Sequence, residues 1–191
     1  MKAADKFLEV YSEKIKREGA ENLLKWLKSS DFLKAPASTR FHLSREGGLA
    51  EHSLNVYRRL VKLCAAEPYQ FSEETLAICG LLHDVCKADF YRTDYRNSKD
   101  ESGKWVKVPY YAIDDQLPYG HGEKSVYIIS GFMRLSREES MAIRWHMGGF
   151  DESVKGGSFS LNTAFQKFPL AVLVHAADLL ATNLDERHLQ A

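Results

Sequence analysis

Ser72-Glu73-Glu74-Thr75-Leu76-Ala77-Ile78-Cys79-Gly80-Leu81-Leu82-His83-Asp84 is the stretch that decides how this 191-residue chain is read. Ser72 offers a side-chain oxygen to cap a helix. Glu73 and Glu74 place negative charge in the first turn, where free backbone N–H groups and the helix dipole favour it. Leu76, Ile78, Leu81 and Leu82 then make the segment apolar almost all round, which predicts a central, buried helix. That helix runs into an imidazole and a carboxylate, and burying a carboxylate without a partner costs several kcal/mol.

Working outward, Phe7, Leu8, Tyr11 and Ile15 recur at helical spacing, and Leu23, Leu24, Trp26 and Leu27 resume the pattern after Gly19. Two amphipathic helices are expected to open the domain. Residues 35–48 hold a proline and the pair Gly47-Gly48 and read as a loop feeding a helix over 49–65. Beyond Lys87 the chain turns rich in Tyr, Asp, Lys and Arg. The turn signal Asp100-Glu101-Ser102-Gly103, followed by Trp105-Val106-Lys107-Val108, predicts a small hairpin inserted between helices at about 89–120. His121 opens a further helix to about Arg134. Ser136 with Glu139 forms a capping-box pattern that starts another, ending near Gly148-Gly149. Residues 150–160 read as a connection, and Pro169 suits the first turn of a strongly apolar last helix over 170–184 that carries His175, Asp178 and Thr182. The expectation is an all-α bundle with a hairpin-like insertion, one domain over 1–191, its core at about 41–184.

Hydrophobic residues make up 45% and charged residues 27%, which is ordinary for a chain that folds. Lys plus Arg number 26, as do Asp plus Glu, so net charge gives no reason to expect a nucleic acid or an anionic membrane. No apolar run is long enough to span a bilayer, and residues 1–17 lack the apolar centre of a signal peptide, so a cytoplasmic location is expected. Cys64, Cys79 and Cys86 are odd in number, form no C-x-x-C pair and lie in apolar helical patterns, the signature of buried free thiols.

The chemistry lies in polar groups within apolar helices. His52 sits among Leu49 and Val56, His83-Asp84 ends the most apolar helix, and Asp178 interrupts Ala171-Val172-Leu173-Val174-His175-Ala176-Ala177 and Leu179-Leu180. A metal ion supplies the partner such groups need. Imidazole nitrogen with carboxylate oxygen suits a divalent transition metal such as Mn, Fe, Co, Ni or Zn.

Gly47-Gly48-Leu49-Ala50-Glu51-His52-Ser53, then Leu81-Leu82-His83-Asp84-Val85-Cys86-Lys87, then His121, His146 and Ala177-Asp178 together resemble the HD-domain superfamily of metal-dependent phosphohydrolases, in order over about 41–184. The resemblance implies an HD-type helical bundle in which His52, His83, Asp84 and Asp178 hold one ion. Two-metal relatives add histidines at positions like His121 and His146, with the Asp of the pair bridging both ions, so one or two ions are expected here. The implied activity is hydrolysis of a phosphate ester in a nucleotide or another small phosphorylated metabolite, by water activated at the metal. Asp84 would hold that water or accept its proton, and Lys87 would reach phosphate oxygens. A long nucleic acid is less favoured as partner. There is no Gly-Tyr-Pro segment after the metal pair, as in cyclic-dinucleotide phosphodiesterases of the superfamily, and no His-Asp-x-Gly-His run, as in deoxynucleotide triphosphohydrolases. Two alternatives stay open: a di-iron oxygenase of the same fold, and a metal-stabilised regulatory domain without turnover.

Other residues carry weaker signals. His42 is either a pocket residue or a loop histidine, and His175 either orients the Asp178 carboxylate or is a satisfied core histidine. Glu123, Lys124 and Arg144 read as exposed, and His188 as solvated. Arg92, Arg96, Lys99, Lys104 and Lys107, interleaved with Tyr91, Tyr95 and Trp105, could grip phosphate and stack a base. The acids of the same segment dilute that charge, so a solvated flap is the simpler reading.

Overall fold

A computed structural model describes residues 2–186; His188 lies outside them. Helices α1 (Ala3–Lys14) and α2 (Ala20–Ser29) open the chain, and α3 (Gly48–Ala66) and α4 (Glu73–Leu82) form its centre. The Ser72 hydroxyl accepts the Thr75 N–H at 3.1 Å, and every residue from Leu76 to Leu82 is buried. α4 can lie this close to α3 because Gly80 has no side chain: a Cβ there would stand 2.6 Å from the Tyr57 Cα. The Gly47-Gly48 turn has the same logic. Gly47 takes φ 75°, and a Cβ on Gly48 would sit 2.1 Å from the Leu43 carbonyl oxygen, so the loop folds tightly onto the start of α3.

After α4 a short 3₁₀ turn, Val85–Lys87, leads into an antiparallel ribbon of β1 (Tyr91–Lys99) and β2 (Trp105–Ile113), in register from Tyr91↔Ile113 to Lys99↔Trp105. Asp100 shapes its tip, accepting the N–H groups of Ser102 at 2.9 Å and Lys104 at 3.0 Å. The chain returns through α5 (His121–Ser130), α6 (Arg137–Arg144), the single turn α7 (Glu152–Lys155), α8 (Ser160–Lys167) and α9 (Pro169–Leu180). The capping box at Ser136 and Glu139 is present in both directions.

Sequence and structure part in three places. α5 stops at Ser130, and α6 stops at Arg144, where Trp145 leaves helical geometry. The connection at 150–160 contains α7, capped by Asp151. α8 follows it, two turns that bury only Leu161 and Ala164 and so show too few repeats to register as periodic. The last helix widens after Leu180 into a π turn over Ala181–Asp185.

Among the described residues, one main cluster joins Phe7, Tyr11, Leu23, Leu27 and Phe32 to the inner faces of α3, α4, α6 and α9. A satellite of Trp145, Leu161 and Ala164 covers one side. No single helix among the described residues is long and apolar enough to cross a membrane.

The segment between α1 and α2 is fixed by charge. The Arg17 guanidinium donates to both Glu139 oxygens at 2.8 Å and also reaches Glu74. Glu139 is only 1% exposed and further accepts the Thr75 hydroxyl and the Ser136 N–H. Burial alone would raise the Glu139 carboxyl, but the bonds from Arg17, Ser136 and Thr75 hold it below its ordinary value. Its contribution to stability is therefore complete above the unfolded pKa of about 4.3 and is lost as pH falls through the lower folded pKa. Arg17→Ala should cost about 3 kcal/mol in urea unfolding at pH 7, because it strands a buried carboxylate, and the deficit should shrink in acid. An acid-insensitive deficit would show that packing, not charge, is what was lost.

Candidate metal centre

Five elements deliver side chains to one buried point. α3 brings His52, the end of α4 brings His83 and Asp84, the first residue of α5 is His121, the turn after α6 carries His146, and α9 carries Asp178. His52, His83, Asp84 and His146 are each no more than 2% exposed. His52 Nε2 lies 3.2 Å from His83 Nε2, 3.3 Å from Asp178 Oδ1 and 3.6 Å from Asp84 Oδ2. On the other side, Asp84 Oδ1 is 2.7 Å from His121 Nε2 and 3.4 Å from His146 Nε2. The two oxygens of Asp84 thus face two sets of imidazoles.

The outer nitrogens explain why these rings point inward. His83 Nδ1 is 3.0 Å from the Gly80 carbonyl and His146 Nδ1 is 2.7 Å from the Ile143 carbonyl, each the open acceptor of its own helix end. His52 Nδ1 is 3.0 and 3.1 Å from the Glu186 carboxylate oxygens. A carbonyl or carboxylate accepts only an N–H, so in each neutral ring the proton sits on Nδ1 and the Nε2 lone pair faces the centre. Two such lone pairs at 3.2 Å repel unless positive charge lies between or beside them. His146 Nε2, buried and without a hydrogen-bond partner among the described residues, is a further lone pair awaiting a cation.

The protonation pattern agrees. Burial alone would lower His52, but Asp178 and Glu186 more than reverse this and raise it to about 10. Burial drives His83 down to about 3. His121 is also raised to about 10, against burial, by Cys86 and Asp84. Burial would raise Asp84, yet Lys87 and the imidazoles keep it well below the usual carboxylate range. A proton on His52 stands where a metal ion would. The donor set of imidazole nitrogens and carboxylate oxygens fits a divalent metal: such ligand atoms cluster at His52, His83 and Asp178 and at His83, Asp84 and His146, and the Cys86 sulfur joins Asp84 and His121 in a third group.

Lys87 completes the group. Its Nζ donates to Asp84 Oδ2 at 2.6 Å and to the Ala37 carbonyl at 2.8 Å. A cleft of about 610 Å³ opens beside Lys87 and His121, walled by Phe90, Ile113, Met147 and Phe150.

Several side chains stand elsewhere than the sequence suggested. His175 does not touch Asp178; its Nδ1 donates to the His146 carbonyl at 2.7 Å and so supports the turn that carries His146. Asp178 instead receives the Thr182 hydroxyl at 3.3 Å. Lys124 is not exposed: it donates to Asp115 and lies 5.0 Å over the Phe90 ring. Arg144 is mostly buried against Trp145 and pairs with Glu123 and Asp151. His42 packs 4.9 Å from the His52 ring, its Nε2 buried. Cys86 is a buried free thiol, but its Sγ is 3.5 Å from His121 Nδ1. Glu186 was missed altogether, because Asp185-Glu186-Arg187 reads as the start of a polar tail; its place two helical turns after Asp178 was the one signal for it.

Among known proteins, a family model described as HD domain matches residues 49–183. No curated protein and no solved structure matches the chain.

Proposed function

Given that the chain belongs to the HD domain family, a superfamily of metal-dependent hydrolases, we propose that it is a phosphohydrolase that cleaves a phosphate ester in a nucleotide or another small phosphorylated molecule. The observation that carries this reading is the common orientation of His52, His83 and His146. Each donates its Nδ1–H outward and turns Nε2 toward Asp84 and its neighbours. When bound, a divalent cation of the Mn, Fe, Co, Ni or Zn type supplies Lewis acidity, bringing the pKa of a water toward neutrality and neutralising charge on a phosphoryl oxygen.

The chain's own groups do the rest. His52, His83, Asp178 and Asp84 Oδ2 would hold one ion, and His121, His146 and Asp84 Oδ1 a second. Asp84, its carboxyl held ionised, would orient the attacking water by accepting a hydrogen bond from it. Lys87 keeps its positive charge beside Asp84 and is placed to meet a phosphate oxygen entering the cleft. A volume of this size suits a small phosphorylated molecule, with Phe90 and Phe150 as apolar walls for its organic part.

Elemental analysis of protein purified without added metal, paired with a screen of nucleotides and generic phosphate esters, tests the assignment. Oxygen consumption without phosphate release would point to oxidative chemistry instead. His121→Ala and His146→Ala should each lower the metal content from two ions toward one per chain while His52, His83 and Asp178 retain theirs. A wild type that holds a single ion under saturating metal removes the two-ion part.

A further inference from the structure

The ribbon β1–β2 sorts its charges in a way that sequence order hides. Cross-strand partners share a face, so the register places Tyr91, Tyr95, Lys99, Trp105, Lys107 and Tyr111 on one side of it. Among the strand residues no carboxylate stands on that side. Asp94 lies on the opposite face, Asp100 and Glu101 form the tip, and Asp89, Asp114 and Asp115 lie outside the strands. Tyr95 is 62% and Trp105 65% exposed, and the Lys99 ammonium stands 5.3 Å over the Trp105 ring. Lys99 and Lys107 form no ion pair among the described residues.

This track leads to the metal centre. At its base the Tyr91 hydroxyl is 3.5 Å from the Ala37 carbonyl, the same oxygen that accepts from Lys87. Beside it, a groove of about 560 Å³ between the loop before α3 and the ribbon is lined by Thr39, Arg40, Ser44, Thr93 and Arg96, with no acidic residue. Arg40 and Arg96 likewise form no ion pair among the described residues; Arg96 reaches the groove from the Asp94 face, 5.7 Å over the Tyr110 ring.

We propose that this aromatic and cationic ribbon face, with the Arg40 groove at its base, binds single-stranded nucleic acid and guides a phosphodiester toward Lys87 and Asp84. Lys99, Lys107 and Trp105 stand in the two rows nearest the tip, and Tyr95, Tyr111 and Tyr91 continue the face toward its base, so bases can stack along the rings while the cations hold the backbone. A duplex hides its base faces from such rings, and a bilayer surface calls for contiguous apolar residues, whereas Thr93 and Asn97 interrupt these. Nine residues of strand extend about 30 Å, enough for the shorter sites of about 4 to 16 nucleotides that such platforms use. The inference rests on the hydrolase reading for the fate of the phosphodiester, but not for its binding.

The test is fluorescence anisotropy of a fluorescein-labelled phosphorothioate oligothymidylate of about a dozen nucleotides, titrated with the metal-loaded full chain. Lys99→Ala/Lys107→Ala should weaken binding about tenfold and flatten its salt dependence. Trp105→Ala and Tyr95→Ala should each weaken it by about tenfold through lost stacking. All of these exposed substitutions should leave hydrolysis of a small aryl phosphate at the wild-type rate. Variants that bind like wild type, or equal affinity for duplex DNA or anionic vesicles, overturn the proposal. Binding that the variants lose, in a protein that cleaves no ester, would leave the surface standing and remove the hydrolase reading; ester cleavage without oligonucleotide binding would do the reverse.

Discussion

Asp84→Ala is expected to lose most of its bound metal and at least about a thousandfold in phosphate-ester hydrolysis. Among the described residues, no other carboxylate faces both sides of the centre. One oxygen of Asp84 meets His121 and His146, and the other lies near His52, His83 and Lys87. Removing it leaves the imidazole lone pairs without the carboxylate that balances a cation, and it strips the buried Lys87 ammonium of its counter-charge. Because that second effect can weaken the fold, Asp84→Asn, which keeps the volume and can still accept from Lys87, should be measured beside it, with circular dichroism to confirm folding. Folded Asp84→Asn that keeps its metal and its full turnover rate would overturn the assignment.

Stripping the metal should lower the melting temperature by about 10 °C, and restoring it should reverse the fall. The ligands come from α3, the end of α4, α5, the turn after α6 and α9, so they meet only in the folded chain and binding acts as folding energy. A ligand at a thousand times its dissociation constant adds about 4 kcal/mol, and each kcal/mol moves a domain of this size by about 2–4 °C. The sign follows from the site itself. Without the ion, His52 must carry a proton in its place against its burial, and His146 Nε2 is left without a hydrogen-bond partner among the described residues. Scanning calorimetry before and after chelation, with metal content measured on the same samples, checks this. An unchanged melting temperature in protein shown to be stripped would mean that the side chains hold the core together by themselves.

The sequence made the helical framework and most of the cluster legible because four candidate ligands interrupt strong apolar patterns, while His121 and His146 came from their order in the family resemblance. His52 and Asp178 stand out within α3 and α9, and His83-Asp84 ends a segment with no other polar face. Spacing could not show the supports. Glu186 lies in a charged run, and its partner His52 is 134 residues away, so only its helical offset from Asp178 marks it. His175 shares a face with Asp178 on any helical wheel, yet the turn after α6 comes closer and accepts its Nδ1–H. α8 is short, with three apolar residues in eight, and two of them, Leu161 and Ala164, pack on Trp145 far back in the chain. In the ribbon, a linear count of acids hid the fact that strand register puts them on the far face or at the ends.

The family match stops at residue 183, while Glu186, which clamps His52 and is itself gripped by Asn55, comes three positions later. Ending the chain at the last matched residue, with its first helices kept, would retain every candidate ligand but free the first imidazole to swivel. Such a protein could fold, take up metal feebly and pass for an inactive relative. Where the chain is cut thus decides whether the centre can be studied at all.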